Sequence, residues 1–122
     1  MGLMPMTVLI VDDHPSFRST ARALLEAEGY EVVGEADDGA SAVAAAEALR
    51  PELVLLDVQL PDFDGFEVAA RLRESLNGDA PAIVLTSSRD GADFGPLVAE
   101  CGARGFVPKA ELSGSALAAL LG

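Results

Sequence analysis

The chain has 122 residues, half of them apolar, with a formal net charge of -12 and a single cysteine. That length suits one domain around one core, and no uninterrupted apolar run approaches the roughly 20 residues that span a bilayer. The seven arginines and one lysine are scattered along the chain instead of gathered into a stripe, which argues against direct binding of nucleic acid by this domain and leaves proteins or small phosphorylated molecules as partners.

Met1-Gly2-Leu3-Met4-Pro5-Met6 lacks the basic start and long apolar middle of a secretion signal, so residues 1–6 read as a short disordered lead-in. A lone Cys101 cannot form an internal disulfide and points to a reducing compartment, the cytoplasm, and the lack of a long apolar run predicts no membrane contact.

Thr7–Val11 reads as a first strand, after which Pro15 suits the opening of a helix carrying Phe17, Ala21, Leu24 and Leu25 at helical spacing until Gly29. Glu31–Ala36 reads as a second strand, and Asp38 as the cap of an alanine-rich helix through Leu49. Leu53–Asp57 is the third strand. Past the turn residues Pro61 to Gly65, shaped by Asp62 and Asp64, comes a helix with Phe66, Ala69, Ala70 and Leu72 near one face, ended by Asn77-Gly78. Ala82–Thr86 reads as the fourth strand, and Leu97–Cys101 as a short helix delayed by Gly95-Pro96, with Cys101 in the core. Gly105–Val107 is the fifth strand, and Ala116–Leu121 a last helix capped by Ser113 or Ser115.

Strict alternation of strand and helix predicts an α/β fold with a doubly wound parallel sheet, because each right-handed crossover needs its helix. The continuously apolar strands VLIV, LVLL and AIVL belong inside the sheet, whereas EVVGEA and GFVP carry polar ends, a Gly or a Pro and belong at its edges. The expected arrangement is the flavodoxin-like (βα)5 order 2-1-3-4-5, whose chain reverses between strands one and three.

In that order the carboxyl ends of the strands share one edge, and Asp12, Asp13, Asp57, Thr86 and Lys109 converge there. Crowded carboxylates repel by about 4 kcal/mol per pair at 4 Å with an effective dielectric constant near 20, so they call for a cation or a proton. A hard divalent ion such as Mg²⁺ takes oxygen ligands and tolerates a phosphoryl oxygen beside them. Asp57, closing the central strand, is the candidate nucleophile for an aspartyl phosphate, while the Asp12-Asp13 doublet is suited to orienting the metal. Lys109, the only lysine, and the Thr86 hydroxyl can hold phosphoryl oxygens. His14, before Pro15, reads as a turn residue rather than a ligand.

VLIVDDHPSFR, LVLLDVQLPDFDGFE, IVLTSS and GARGFVPK, in this order and at these separations, resemble the receiver domain of bacterial two-component response regulators, over about Thr7 to Leu121. The closest likeness is to receivers that carry a helix-turn-helix output module of the nitrate-response and quorum-response type. The resemblance implies that Asp57 is phosphorylated by a sensor histidine kinase or phosphotransfer protein. It also implies that Asp13, Asp57 and the Gln59 backbone carbonyl bind Mg²⁺ with help from Asp12, and that Thr86 and Lys109 contact the phosphoryl group. Thr86 and Phe106 would then form a switch that relays the change to the face of strand 4, helix 4 and strand 5, towards a downstream effector, an attached DNA-binding output or a homodimer formed on phosphorylation.

The chain departs from the family's pattern in having Pro108-Lys109-Ala110 where many members have Lys-Pro, and Gly95-Pro96 at the start of helix 4. Gln59 and Ser88 stand at positions that tune phosphate lifetime in the family. No output module is read within residues 7–121, so the implied role is either the receiver part of a transcriptional regulator or a free-standing shuttle. An aspartyl-phosphate hydrolase is disfavoured because Gln59 replaces the second acid such enzymes need, and a nucleotide- or flavin-binding domain because no Gly-rich phosphate cradle is present.

Overall fold

The computed structural model describes residues 6–76, 78, 80–88 and 95–121. Residues 1–5 of the expected lead-in and Asn77 of the expected helix stop lie outside them. The elements alternate as β1 (Thr7–Val11), α1 (Pro15–Ala27), β2 (Glu31–Ala36), α2 (Gly39–Leu49), β3 (Leu53–Asp57), α3 (Gly65–Leu76), β4 (Ala82–Ser87), α4 (Gly95–Glu100), β5 (Gly105–Pro108) and α5 (Gly114–Leu121), with a 3-10 turn at Lys109–Glu111. The five strands are parallel in the order β2-β1-β3-β4-β5. The three apolar strands are interior and the two interrupted ones are edges, as their composition predicts.

Because alternate strand residues face opposite sides, the sheet builds two cores. Leu9, Val11, Val54, Leu56, Ile83 and Leu85 pack against α2 and α3. Val8, Ile10, Leu53, Leu55, Val84 and Val107 pack against Ala21 and Leu25 of α1 and Leu117 of α5. Full burial of each such side chain is worth about 1.5–3 kcal/mol, so shifting one strand by a single residue would exchange the two sets and forfeit both cores. The β1–β2 register slips between Val8 and Leu9, where Leu9 pairs with Gly34, a place where a Gly in an edge strand relieves the irregularity.

Local chemistry accounts for the element ends. Pro15 opens α1, and Gly29 follows its end at a φ of +94° that a side chain would strain. The Asp38 carboxylate accepts from Ser41 N–H at 2.7 Å and caps α2. Met6, read as the last residue of the lead-in, already accepts from Glu31 N–H at 2.9 Å and packs half-buried under the sheet.

Several boundaries differ from the sequence reading. β4 and β5 each run one residue further, to Ser87 and Pro108; Pro108 is tolerated because β5 is an edge. Gly95-Pro96 does not delay α4 but forms its first turn, where a missing N–H costs no intrahelical bond; Cys101 lies just beyond the helix, still buried. α5 begins at Gly114, and the cap is Ser113, whose hydroxyl accepts from Ala116 N–H at 3.0 Å. On α3 the buried residues are Gly65, Val68, Ala69, Leu72 and Leu76, whereas Ala70 is exposed. Asp64 does cap that helix through Glu67 N–H at 2.8 Å. Asp62 accepts from Phe63 N–H within the turn at 2.8 Å and also reaches across to α2, accepting from Gly39 and Ala40 N–H at 2.7 and 3.0 Å.

Candidate functional site

The row Val8, Ile10 on the α1/α5 face continues into Asp12, the row Leu53, Leu55 into Asp57, and Val84 into Thr86. Each polar group follows a buried apolar row, so each is itself buried: Asp12 is 0 %, Asp57 2 % and Thr86 1 % exposed. Lys109 follows Val107 in the same way and enters from the 3-10 turn. Asp13, one residue out of phase with Asp12, points towards solvent, with its side chain 37 % exposed.

The Lys109 ammonium bridges the two buried acids, 2.6 Å from Asp12 Oδ2 and 3.1 Å from Asp57 Oδ2. The Phe17 ring lies 4.7 Å from the same nitrogen, a cation–π contact on its apolar side. The other Asp57 oxygen accepts from Gln59 N–H at 3.0 Å. Asp12 Oδ1 accepts from His14 N–H at 2.8 Å. The His14 imidazole Nδ1 stands 3.1 Å from Asp12 Oδ1 and 3.0 Å from Asp13 Oδ1. Gly65 is required beside this centre, because a Cβ there would lie 2.5 Å from the Asp57 carbonyl oxygen; with Gly65 N–H donating to Val58 O at 2.7 Å, α3 closes tightly behind the acid.

Burial pushes the Asp57 carboxyl pKa up. The Gln59 N–H bond and Lys109 oppose the shift and the Asp12 charge adds to it, leaving a net rise. Burial alone would lower the Lys109 ammonium, but its bonds to Asp12 and Asp57 outweigh that and hold it above its ordinary value.

The chemistry of the donor set fits a hard divalent cation. Asp12, Asp13, His14 and Asp57 each offer one ligand atom within 4.8 Å of the others, and three of the four residues are carboxylates, as Mg²⁺ prefers. Among the described residues the Thr86 hydroxyl is buried without a hydrogen-bond partner. Such an orphan needs a reason, and a polar group arriving in the pocket supplies one.

Asp12, Asp13, Asp57, Thr86 and Lys109 thus converge at the carboxyl edge of the sheet, and Gln59 borders the pocket through its N–H. Phe106 does not enter it. It pairs with Leu85, one position before the Val107 that pairs with Thr86, and packs half-buried against the α2/α3 core on the opposite face. The sequence reading missed the contacts of His14 with both acids and the place of Phe17 beneath the lysine. Adjacency to the doublet was a signal for the first, whereas helical spacing marked Phe17 only as core.

The response regulator receiver domain matches residues 8–120. The chain belongs to that family. Among solved structures this receiver is similar to the signal receiver domain of the putative response regulator NarL from Mycobacterium tuberculosis (34 % identity, TM-score 0.83, covering 98 % of this chain and 99 % of that one). It is also similar to a LuxR-family two-component response regulator from Aurantimonas sp. SI85-9A1 (33 %, TM-score 0.84, 96 % and 86 % covered). A putative transcriptional regulator of Pseudomonas aeruginosa is 49 % identical over 104 residues, 85 % of this chain and 49 % of that protein. The DNA-binding transcriptional activator EvgA of Escherichia coli K12 is 34 % identical over 115 residues, 94 % of this chain and 55 % of EvgA. The receiver therefore spans about half the length of these curated relatives. None of its described helices is long and apolar enough to cross a membrane.

Proposed function

We propose that this receiver is a phosphorylation-controlled switch in which Asp57 accepts a phosphoryl group from a phosphohistidine on a sensor kinase or phosphotransfer protein. An Asp57 carboxylate oxygen attacks phosphorus, the phosphorus–nitrogen bond breaks, and the imidazole leaves with the electron pair. Asp12, Asp13, Asp57 and the Gln59 backbone carbonyl would hold Mg²⁺, which supplies charge neutralisation for the crowded acids and the incoming oxygens.

Lys109 is placed to follow the negative charge as it passes from the bare carboxylate to the phosphoryl oxygens. The Thr86 hydroxyl, without a partner among the described residues, can donate to one of them. Its displacement would shift the end of β4, and Phe106 on the neighbouring β5 would turn with it and carry the change to α4 and the β5 edge. From there the signal would pass to a downstream effector, to an attached DNA-binding output of the kind its relatives' names describe, or to a second copy in a homodimer.

The observation that carries this reading is the placement of Asp57: buried at the switch point, one oxygen on Gln59 N–H, the other on Lys109, with the orphan Thr86 hydroxyl on the neighbouring strand. Incubation with acetyl phosphate and Mg²⁺ should add one phosphoryl group by intact mass, and Asp57→Asn should abolish the gain. Labelling of that variant equal to the parent would remove Asp57 from the role.

A further inference from the structure

Arg18 lies on α1 with its side chain only 18 % exposed. Its Nη1 donates to the Asp12 backbone carbonyl at 2.5 Å and its Nε to Glu35 Oε1 at 2.9 Å. The second Glu35 oxygen accepts from Arg22 Nε at 2.8 Å, so the carboxylate at the end of β2 is held from both sides. The Asp12 N–H, meanwhile, donates to Ala36 O at 3.0 Å.

We propose that Arg18 is a positioning residue for the acidic pocket, clamping the Asp12 carbonyl against Glu35 and thereby aiming the Asp13 carboxylate at the divalent cation. The peptide unit is planar, so holding the Asp12 carbonyl also sets the N–H and Cα of Asp13. Asp13 needs such help: its side chain is 37 % exposed, and among the described residues its polar contact is with the imidazole of its neighbour His14 at 3.0 Å. A guanidinium suits the task because its rigid fork serves two acceptors in fixed directions, which an ammonium does less well. Its charge beside the doublet also eases the repulsion among the acids without occupying the pocket. Glu35 is kept ionised for this, its pKa lowered by the Arg22 bond, with burial opposing and the Arg18 bond assisting.

The inference rests on the metal-assisted reading above, and the test separates the two. Mg²⁺ is titrated into parent, Arg18→Ala, Arg18→Lys and Glu35→Gln proteins while backbone amides are followed by NMR. Arg18→Ala should weaken Mg²⁺ binding by about tenfold or more, as loss of a group that orients metal ligands does. Arg18→Lys should recover only part of it, and Glu35→Gln should shift it in the same direction by less. The thermal midpoint without Mg²⁺ should move far less than the affinity. Unchanged Mg²⁺ affinity in folded Arg18→Ala overturns the proposal; if that variant does not fold, unchanged affinity in Glu35→Gln does so. Should the parent itself bind no Mg²⁺, the functional reading falls, and the metal-free spectra decide on the clamp alone: a displaced Asp13 amide in Arg18→Ala upholds it and an unmoved one removes it.

Discussion

On the β1–β3 side of the pocket the acids are held by short bonds from neighbouring backbone, Asp12 by His14 N–H at 2.8 Å and Asp57 by Gln59 N–H at 3.0 Å. On the β4–β5 side the Thr86 hydroxyl has no partner among the described residues, Phe106 is only half-buried, and Lys109 reaches in from a three-residue 3-10 turn. The first side is tied down by these bonds, as the proposed metal and nucleophile positions would require. On the other side the Thr86 hydroxyl is the group without a partner among the described residues, and under the proposed function an incoming phosphoryl group would supply it.

The largest effect should come from removing Lys109, the cation that bridges Asp12 and Asp57. Lys109→Met leaves the Asp12 and Asp57 carboxylates buried without it, and such a loss costs on the order of 3 kcal/mol of unfolding free energy. Urea denaturation without divalent ions measures this, and added Mg²⁺ should recover part of the deficit. A midpoint equal to that of the parent would mean that the lysine bridges nothing of consequence.

A smaller effect of opposite sign is expected on the loose side. Thr86→Val keeps the shape and deletes an unsatisfied buried hydroxyl, so stability should hold or rise by up to about 1 kcal/mol. The variant should still accept phosphate on Asp57, while phosphate-dependent amide shifts across β4, α4 and β5 shrink. Undiminished shifts there would break the link between Thr86 and Phe106.

The smallest effect tests the rigid side at a distance from the pocket. Glu35 has its pKa lowered in the fold, chiefly by the Arg22 bond, with burial opposing and Arg18 assisting. The stabilisation it contributes is therefore complete above the unfolded value near 4.5 and is lost as pH falls through the lower folded value. Parent and Glu35→Gln should differ by less than about 1 kcal/mol near neutrality. The difference should vanish under acid; a gap that widened there would contradict the assigned direction.

Most of the fold was legible because its signals are local and repeated. Apolar runs of strand length, their alternation with helices, and the polar ends of EVVGEA and GFVP sufficed for element order and for the edges. Boundaries were harder: Pro96 reads as a delay, yet in the first turn of a helix it has no intrahelical bond to lose. The convergence of the acids, Thr86 and Lys109 was legible as well, since a parallel sheet sends every strand end to one edge.

What the amino-acid sequence determined by itself, then, is everything that follows from period and position: the doubly wound sheet, the switch point and the five polar residues gathered there. Only the tertiary structure decided which groups bond to which. Asp62 turned out to cap a helix 22 residues away, Phe17 to lie beneath the lysine, and Arg18 to grip the Asp12 carbonyl. These pairings depend on how side chains from separate elements meet across the packed layers, and neither residue spacing nor residue type specifies that meeting.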